Sequence, residues 1–264
     1  MKKIIALLLS CLMLTLAFAS CASGGTTLAD IQKAGTLTIA TSPDFPPFES
    51  LGEGNQVEGI EIEILNKICE KFGVTLTVEQ MDFDSVIPGI NAGKFDLGVS
   101  GISVTEERKK NVLFTDPYCL AAQAIVVTAG SPIASKADLD GKTVSVQTGT
   151  TAEDFCMGEG YDVMGFAANS DAEAALVTGK VDAWVIDDLT AAEMVKAYNA
   201  ENGEGSLVIL SEAMTTEPYA FAFAFGSEEL VAEINKIVNG LVADGTIASI
   251  FEKYNAPYTS PANK

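Results

Sequence analysis

The sequence contains no histidine and a single arginine, Arg108. Without histidine the chain cannot build a histidine-based zinc site, and it cannot pair a serine or cysteine nucleophile with an imidazole base. Both kinds of centre are therefore excluded, and we expect no cofactor and no metal.

Basic residues are scarce compared with acidic ones. The chain has 16 lysines and arginines against 36 aspartates and glutamates. Loss of Lys2 and Lys3 with the leader described below would leave 14 basic residues and a net charge of about −22. A field of this sign repels nucleic acid and anionic lipid surfaces, so we expect no nucleic-acid partner.

Cysteine is also rare. Apart from Cys11 in the leader and Cys21 directly after it, the chain has three cysteines, namely Cys69, Cys119 and Cys156, and each lies in or beside an apolar segment. Their spacing fits no metal-binding pattern, so we predict buried free thiols.

The one long apolar run, Ile4 to Phe18, lies at the start of the chain. It follows the basic Met1-Lys2-Lys3 and precedes the small residues Ala19 and Ser20, which is typical of a secretory signal peptide over residues 1–20. No later stretch approaches the roughly 20 apolar residues that a membrane-spanning helix needs. We therefore expect the mature protein outside the cytoplasm.

Cys21 follows Phe18-Ala19-Ser20, and this segment resembles the bacterial lipobox, in which the exposed cysteine carries a diacylglyceryl group. Two or more acyl chains give stable anchoring. We predict a lipidated Cys21 and a tether over residues 21–35, with contact to the bacterial cell membrane through this anchor only. The alternative is a secreted protein that is cut near the same place and carries no lipid.

Beyond residue 36, short β-rich runs alternate with helical patterns, which predicts an α/β fold with mostly parallel strands. The predicted strands cover residues 37–41, 75–81, 95–100, 124–128, 143–147, 163–166, 181–186 and 221–225. The predicted helices cover residues 60–72, 85–92, a segment from 151, 171–178, 189–199, 228–243 and 247–254.

One αβ unit occurs twice. Gly93-Lys94-Phe95-Asp96 joins a helix to a strand, and Gly179-Lys180-Val181-Asp182 does the same later in the chain. The repeat favours two lobes over one long sheet. Because ligands of open α/β sheets bind beyond the carboxyl ends of the strands, Ser100-Gly101 and Asp187-Asp188 become candidate site residues.

Arg108 is the first candidate for ligand recognition. A chain that otherwise uses lysine for its basic residues has one planar, bidentate donor here, and such a donor suits a carboxylate. The alternative is a surface ion pair with Glu106 or Glu107.

Two further segments offer complementary chemistry. Thr148-Gly149-Thr150-Thr151 lies between a strand and a helix, where free amides and hydroxyls can receive an anion, although threonine is also an ordinary helix cap. Asp187 ends an apolar strand and Asp188 precedes a helix, so one aspartate is spare after the other caps. A spare carboxylate suits an ammonium ligand.

Aromatic residues follow two strand ends. In the loop Ser42-Pro43-Asp44-Phe45-Pro46-Pro47-Phe48, three prolines stiffen the chain, so that Phe45 or Phe48 could be presented to a ligand. Phe83 follows another strand end. Burial in the core is the alternative for each ring.

At this point the chain resembles family 3 of the extracellular solute-binding proteins, the type II amino-acid-binding proteins of ABC importers. The resemblance runs from about Leu28 to Tyr254 and rests on linked motifs, which are Ala40-Thr41-Ser42 with Pro47-Phe48-Glu49, Gly59-Ile60-Glu61-Ile62-Glu63-Ile64, Phe95-Asp96-Leu97 through Gly101-Ile102-Ser103-Val104-Thr105-Glu106-Glu107-Arg108, Phe114-Thr115-Asp116-Pro117-Tyr118, Leu139-Asp140-Gly141-Lys142 and Asp244-Gly245-Thr246.

The resemblance implies a periplasmic-binding-protein-like fold with two lobes, each a mainly parallel sheet flanked by helices, and a ligand cleft between them. Lobe 1 is expected over residues 36–120 and 216–264, and lobe 2 over residues 121–215. Chain crossings near 119–123 and 213–218 would let the lobes open and close around a ligand.

The resemblance also implies roles for individual residues. Gly101, Ser103, Arg108 and Thr151 would hold the ligand carboxylate, and Asp187 its ammonium group. The ligand side chain would lie among Phe45, Phe83, Ser42, Gln147 and Ile186. Ser42 stands where many relatives have aspartate, and Ile186 where the glutamine binder has histidine, so the ligand cannot be read from the family.

The expected function is extracytoplasmic binding of an amino acid and its delivery to the membrane subunits of an ABC importer, by a monomer that is not an enzyme. We expect an uncharged ligand side chain, because no residue expected around it is charged and burying an unpaired charge is costly. The alternative is an enzyme on the same fold, such as a dehydratase.

Overall fold

The computed structural model describes residues 25–212 and 214–261. The predicted signal peptide, Cys21 and the first residues of the predicted tether lie outside the described residues. Helix α1 (Leu28–Ala34) occupies the rest of that tether segment. Thr27 and Asp30 form a capping box at its start, and Ile31 is buried. Residues 28–34 are thus folded, which corrects the tether boundary at residue 35.

The remaining elements alternate much as the sequence predicts. The strands are β1 (Thr36–Thr41), β2 (Asp44–Phe45), β3 (Glu49–Leu51), β4 (Val57–Glu58), β5 (Thr75–Gln80), β6 (Leu97–Gly98), β7 (Leu113–Phe114), β8 (Cys119–Ala121), β9 (Gln123–Thr128), β10 (Thr143–Gln147), β11 (Asp162–Phe166), β12 (Ala183–Asp187), β13 (Leu207–Ile209), β14 (Glu217–Tyr219) and β15 (Ala222–Phe223). The further helices are α2 (Ile60–Phe72), α3 (Phe83–Asn91), α4 (Thr151–Glu159), α5 (Asn169–Val177), α6 (Asp188–Asn202), α7 (Glu228–Ala243) and α8 (Thr246–Lys253), and 3-10 turns cover Glu53–Asn55, Arg108–Lys110 and Lys136–Leu139.

The strands form two five-stranded sheets of matching design. The first has the order β5-β1-β6-β15-β7, and the second has the order β11-β10-β12-β9-β13. In the first sheet β1 runs parallel to β5 and β6, while β15 runs antiparallel to β6 and β7. In the second, β10 runs parallel to β11 and β12, while β9 runs antiparallel to β12 and β13. In each sheet four of the five strands thus run in one direction, and one strand, β15 or β9, runs against them. The sheets are therefore mixed but mainly parallel, as predicted.

We call the first sheet with α1, α2, α3, α7 and α8 lobe 1, and the second sheet with α4, α5 and α6 lobe 2. Two chain segments connect them, β8 and β14, which pair antiparallel. The predicted crossings lie at these strands. The residue boundaries of the lobes remain a prediction.

The repeated αβ unit has one geometry in both lobes. Gly93 and Gly179 adopt φ angles of +69° and +72°. In lobe 1 the Thr38 amide donates to Asp96 Oδ2 at 2.8 Å, and the Asp96 amide donates to Thr38 O at 2.9 Å. In lobe 2 Thr143 and Asp182 make the same two bonds at 3.0 and 2.8 Å. Each motif thus fixes the entry of a central strand into its sheet.

Helix α2 shows how sequence sets the position of an element. Gly59 precedes it at φ +145°, and a Cβ at this position would lie 2.1 Å from Phe48 O. Gly73, at φ +71°, ends it. Its apolar face is fully buried, including Ile64 and Ile68. This burial anchors the segment that carries Glu61 behind the candidate site.

The three thiols are buried and free, as predicted. Burial raises the pKa of Cys69 to about 11 and that of Cys156 to about 12, so neither is reactive at neutral pH. In the described part of the chain, no helix is long and apolar enough to cross a membrane.

Candidate functional site

One cavity between the lobes gathers most of the predicted site residues. Its lining consists of Phe45, Phe83, Ser100, Gly101, Ser103, Arg108, Gln147, Thr150, Thr151 and Asp187. Residues of lobe 1 and lobe 2 both contribute, and several follow strand ends. Of the nine predicted ligand-binding residues, only Ser42 is missing from this lining.

Arg108 contacts both lobes. Its Nη1 donates to Ser103 O at 2.9 Å, and its Nη2 donates to Gly149 O of lobe 2 at 3.1 Å. The guanidinium carbon lies 5.5 Å from the centre of the Phe83 ring. Its neighbours Glu106 and Glu107 pair with Lys109 and Lys110 instead. The surface ion-pair alternative is therefore wrong.

Arg108 is half-buried, and no anion is bonded to its charge in the described part of the chain. Burial lowers the pKa of Arg108, and Asp154 and Asp187 counter this effect at longer range. An arginine remains charged under these conditions. Its remaining N–H groups can therefore donate hydrogen bonds to a carboxylate that enters the cavity.

Asp187 supplies the opposite charge. It ends β12 and is buried, and its Oδ1 accepts a hydrogen bond from Gln123 Nε2 at 2.5 Å. Asp188 Oδ1 accepts hydrogen bonds from the backbone amides of Leu189 at 2.8 Å and Ala122 at 3.2 Å. Asp187 makes no side-chain cap bond, so it is the spare aspartate that the sequence indicated.

Burial raises the pKa of Asp187 to about 8, and Glu217 and Asp188 add to this rise. The Tyr219 hydroxyl and the Arg108 charge partly offset it. The carboxyl group therefore holds a proton near neutral pH unless a cation replaces it.

The start of α4 offers hydrogen-bond donors. Thr150 caps this helix, because its Oγ1 accepts the Glu153 amide at 3.2 Å. Thr151 is thereby released from capping, and its Oγ1 lies 3.5 Å from Ser103 Oγ and 3.2 Å from Gln123 Nε2. The first amides of a helix have no partner within it and favour an anion.

Gly101 lies where no other residue fits. Its φ is +54°, and a Cβ would lie 2.4 Å from Cε1 of Phe45. Its amide donates to Glu61 Oε2 at 2.9 Å. That amide is thus committed within the protein, which corrects the idea that it holds the ligand carboxylate. Gly101 can present its carbonyl oxygen instead, and an oxygen acceptor suits an ammonium group.

The aromatic residues divide between core and cavity. Phe48 is fully buried and packs edge-on against Phe251. Phe45 stacks on Phe48 with centroids 5.6 Å apart and also lines the cavity. The Phe45 ring therefore packs on the core and also lines the cavity, whereas Phe48 belongs to the core.

Ser42 and Ile186 lie outside the cavity lining. Ser42 Oγ donates to Asp44 Oδ1 at 3.0 Å, and its amide donates to Ser100 Oγ. Ile186 is buried within the second sheet. Neither side chain faces the cavity, which corrects their expected places.

Sequence reasoning missed Gln123. This residue pairs with Asp187 across the antiparallel strands β9 and β12, 64 residues apart, and no local pattern predicts such a pairing. Ser100 and Thr150, which also line the cavity, were predicted only as members of the candidate segments Ser100-Gly101 and Thr148-Gly149-Thr150-Thr151.

Sequence comparison completes this description. Residues 37–257 match the family described as bacterial extracellular solute-binding proteins, family 3. The chain belongs to this family. It has the family's type II periplasmic-binding-protein fold, as the two mixed sheets and their two connections show.

Individual relatives span nearly the whole chain. The arginine-binding extracellular protein ArtP of Bacillus subtilis is 31% identical over 263 residues, which cover 96% of this chain and 98% of ArtP. An ancestral arginine-binding protein bound to glutamine is 39% identical with a TM-score of 0.77, covering 84% of this chain and 99% of its own. The ancestral amino acid-binding protein AncCDT-1, a precursor of cyclohexadienyl dehydratase, is 33% identical with a TM-score of 0.77. The match covers 86% of this chain and 98% of AncCDT-1.

Proposed function

We propose that this protein binds the zwitterionic head of an amino acid and delivers it to an ABC importer. Arg108 and the start of α4 hold the carboxylate, and Asp187 holds the ammonium group. The observation that carries the proposal is that a half-buried cation and a buried carboxyl line one cavity without bonding to each other. A zwitterion satisfies both groups at once.

The proposal explains why binding closes the lobes. Arg108 belongs to lobe 1 and Asp187 to lobe 2, so a single ligand contacts both only when the lobes approach. A ligand favours closure only through contacts that are better in the closed state.

The named relatives support an amino acid as the ligand. ArtP is named for arginine binding, and the ancestral protein was solved with glutamine. AncCDT-1 is itself described as an amino acid-binding protein. These proteins share the fold, and the two charged groups in this cavity match what any amino acid presents.

We infer that the ligand side chain is uncharged and can form hydrogen bonds. Arg108 and Asp187 are the charged residues that line the cavity, and both are assigned to the ligand head group. Gln147 and Ser100 remain as polar partners beside Phe45 and Phe83. The competing candidate is arginine, which the ArtP name favours and for which Asp44, next to Phe45 in the sequence, would be the carboxylate partner.

The protein is proposed to be a binder and not an enzyme. Asp187 is the one carboxyl that lines the cavity, so a second acid or base is lacking there among the described residues. Incubation of the bound amino acid with the protein should return it unchanged by chromatography. Conversion of the amino acid in proportion to protein concentration would instead support the dehydratase alternative.

Localisation and oligomeric state are part of the proposal. We propose that Cys21 carries the lipid anchor and that the protein acts as a monomer outside the cytoplasm. Cys21→Ser should move the protein from the membrane fraction to the medium, and light scattering should give the monomer mass. Equal membrane association of both forms would refute the anchor.

A thermal-shift screen of residues 25–264 against the common amino acids tests the function directly. A ligand at 100 times its Kd stabilises a protein by about 2.7 kcal/mol. We expect a shift with at least one neutral polar amino acid. A screen without any shift at millimolar ligand would overturn the proposal.

A further inference from the structure

Asp44 joins the two lobes at some distance from the ligand head group. It lies in lobe 1, outside the cavity lining. Its Oδ2 accepts the backbone amide of Asn169 in lobe 2 at 2.6 Å. The backbone carbonyl of Asp44 also accepts Asn169 Nδ2 at 3.5 Å. Asn169 is the first residue of α5 and is buried.

Helix α5 has no cap of its own. The residue at its N-cap position is Ala168, which has extended backbone geometry but no oxygen in its side chain, and no side-chain cap bond forms there. The first amides of a helix need outside acceptors, and a negative charge near them is favourable. The Asp44 carboxylate supplies both from the other lobe.

The Asp44 carboxylate also contacts Gln147, a residue that lines the cavity. Its Oδ1 accepts Ser42 Oγ at 3.0 Å and lies 3.4 Å from Gln147 Nε2. Asn169 Nδ2 in turn donates to Gln147 Oε1 at 3.0 Å. Gln147 lines the cavity, so this network fixes the orientation of a residue that faces the ligand.

We propose that Asp44 caps α5 across the cleft and thereby acts as a latch that stabilises the closed arrangement of the lobes. The inference rests on the proposed function and adds a positioning residue to it. The cap exists only while the lobes are together, so separation leaves the start of α5 without its acceptor. Asp44 therefore strengthens the binding of every ligand that requires closure, whatever its side chain.

This role has a consequence for specificity. Both carboxylate oxygens of Asp44 already accept hydrogen bonds from protein groups. A cationic ligand side chain could recruit Asp44 only by disturbing the latch. The latch thus favours neutral ligands by committing the Asp44 carboxylate to protein groups.

Calorimetric titration of Asp44 variants tests the latch with three ligands that differ in side chain. Asp44→Ala should weaken all of them by a similar factor of roughly 3- to 30-fold, the range expected for loss of a helix cap. Asp44→Asn keeps an acceptor oxygen without its charge and should lie between the wild type and Asp44→Ala. Asp171→Ala removes an exposed carboxylate from the first turn of α5 and should bind within twofold of the wild type.

A second variant separates the latch from helix stability. Ala168→Asp, added to Asp44→Ala, supplies a cap within lobe 2 and should restore the melting temperature but not the affinity. Restored affinity would show that Asp44 serves only to stabilise α5. Unchanged affinity in Asp44→Ala, or a loss confined to one ligand, would also overturn the latch.

Hydrogen exchange tests the latch independently of the proposed function. If the wild type binds no amino acid, the proposed function fails, and the latch is judged on exchange of the peptide spanning residues 166–176. Asp44→Ala should speed exchange of this peptide relative to the wild type and to Asp171→Ala. Equal exchange in all three proteins would overturn the latch.

Discussion

Arg108 and Asp187 line one cavity from different lobes, and neither has an ion-pair partner among the described residues. Asp187 is buried and Arg108 is half-buried. The charge of Arg108 lowers the pKa of Asp187, but burial outweighs it, and the pKa of Asp187 still rises to about 8. The two groups therefore do not satisfy each other. A ligand that carries both a carboxylate and an ammonium group can satisfy them together.

Arg108→Lys should lose most of the binding although it keeps the charge, because an ammonium cannot form two parallel hydrogen bonds to a carboxylate. Arg108→Ala should cost roughly 2 to 5 kcal/mol, or about 30-fold to several thousandfold in Kd. Lys109→Ala, which removes a neighbouring exposed charge, serves as the control. Calorimetry showing Arg108→Lys within threefold of the wild type would refute the carboxylate assignment.

Asp187→Asn should weaken amino acids much more than their deaminated analogues, since the lost contact is to the ammonium group. The comparison uses the keto or hydroxy acid of the identified ligand. Equal losses for both ligands would mean that Asp187 supports only the structure, through its bond with Gln123.

Ligand binding should release protons near neutral pH. The pKa of Asp187 is about 8 in the protein alone, so the carboxyl is largely protonated at pH 7, and an arriving ammonium group favours its ionised form. Titrations in two buffers of different ionisation enthalpy measure this release. Asp187→Asn should abolish most of it, and release of the same size from both proteins would contradict the account.

Asp187 should also make the stability of the ligand-free protein depend on pH. Its pKa is raised from 3.8 to about 8 on folding, so the folded state binds the proton more tightly than the unfolded state. The resulting stabilisation is complete below pH 4 and is lost as the pH rises to about 8. Relative to Asp187→Asn, the wild type should therefore lose free energy of unfolding between pH 5 and pH 8. A constant difference between them would contradict the assignment.

Gly101→Ala should be more damaging than Gly93→Ala. Both glycines have positive φ angles, but only Gly101 has an atom close to the position of a Cβ, at 2.4 Å in the Phe45 ring. The difference between the two variants therefore isolates the contact with Phe45. Chemical denaturation and ligand titration should show larger losses for Gly101→Ala, and equal losses would remove the steric argument.

Glu49→Gln should be tolerated better than Glu61→Gln. Burial and the neighbouring Glu61 raise the pKa of Glu49 well above its usual value, which favours the protonated carboxyl, and a neutral amide resembles that form. Glu61 accepts Tyr118 Oη at 2.6 Å and the Gly101 amide at 2.9 Å. Urea unfolding should show a larger loss in the free energy of unfolding for Glu61→Gln than for Glu49→Gln. The reverse order would contradict this distribution of charge.

Helices and strands whose ends and apolar pattern are set by neighbouring residues could be predicted from the sequence. Helix α2 occurs over the predicted residues because Gly59 and Gly73 bound a regular apolar pattern. By contrast, the predicted strand over residues 95–100 is only Leu97–Gly98 in the structure. Strand order was not predictable, because antiparallel pairing with β9 and β15 depends on segments far apart in sequence.

The candidate site shows the same division. Arg108, Thr151 and Asp187 could be predicted because their chemistry and position after strands or before helices are local properties. Gln123 and Asp44 could not, since their partners Asp187 and Asn169 lie 64 and 125 residues away. The commitment of the Gly101 amide to Glu61 likewise depends on the packing of α2.

The most direct test of recognition at both ends compares three ligands by calorimetry: the identified amino acid, its decarboxylated amine and its deaminated acid. We predict one site per protein for the amino acid, with both analogues at least about 30-fold weaker. The amine leaves Arg108 without a carboxylate, and the acid leaves Asp187 without an ammonium group. Binding of either analogue within threefold of the amino acid would contradict this prediction.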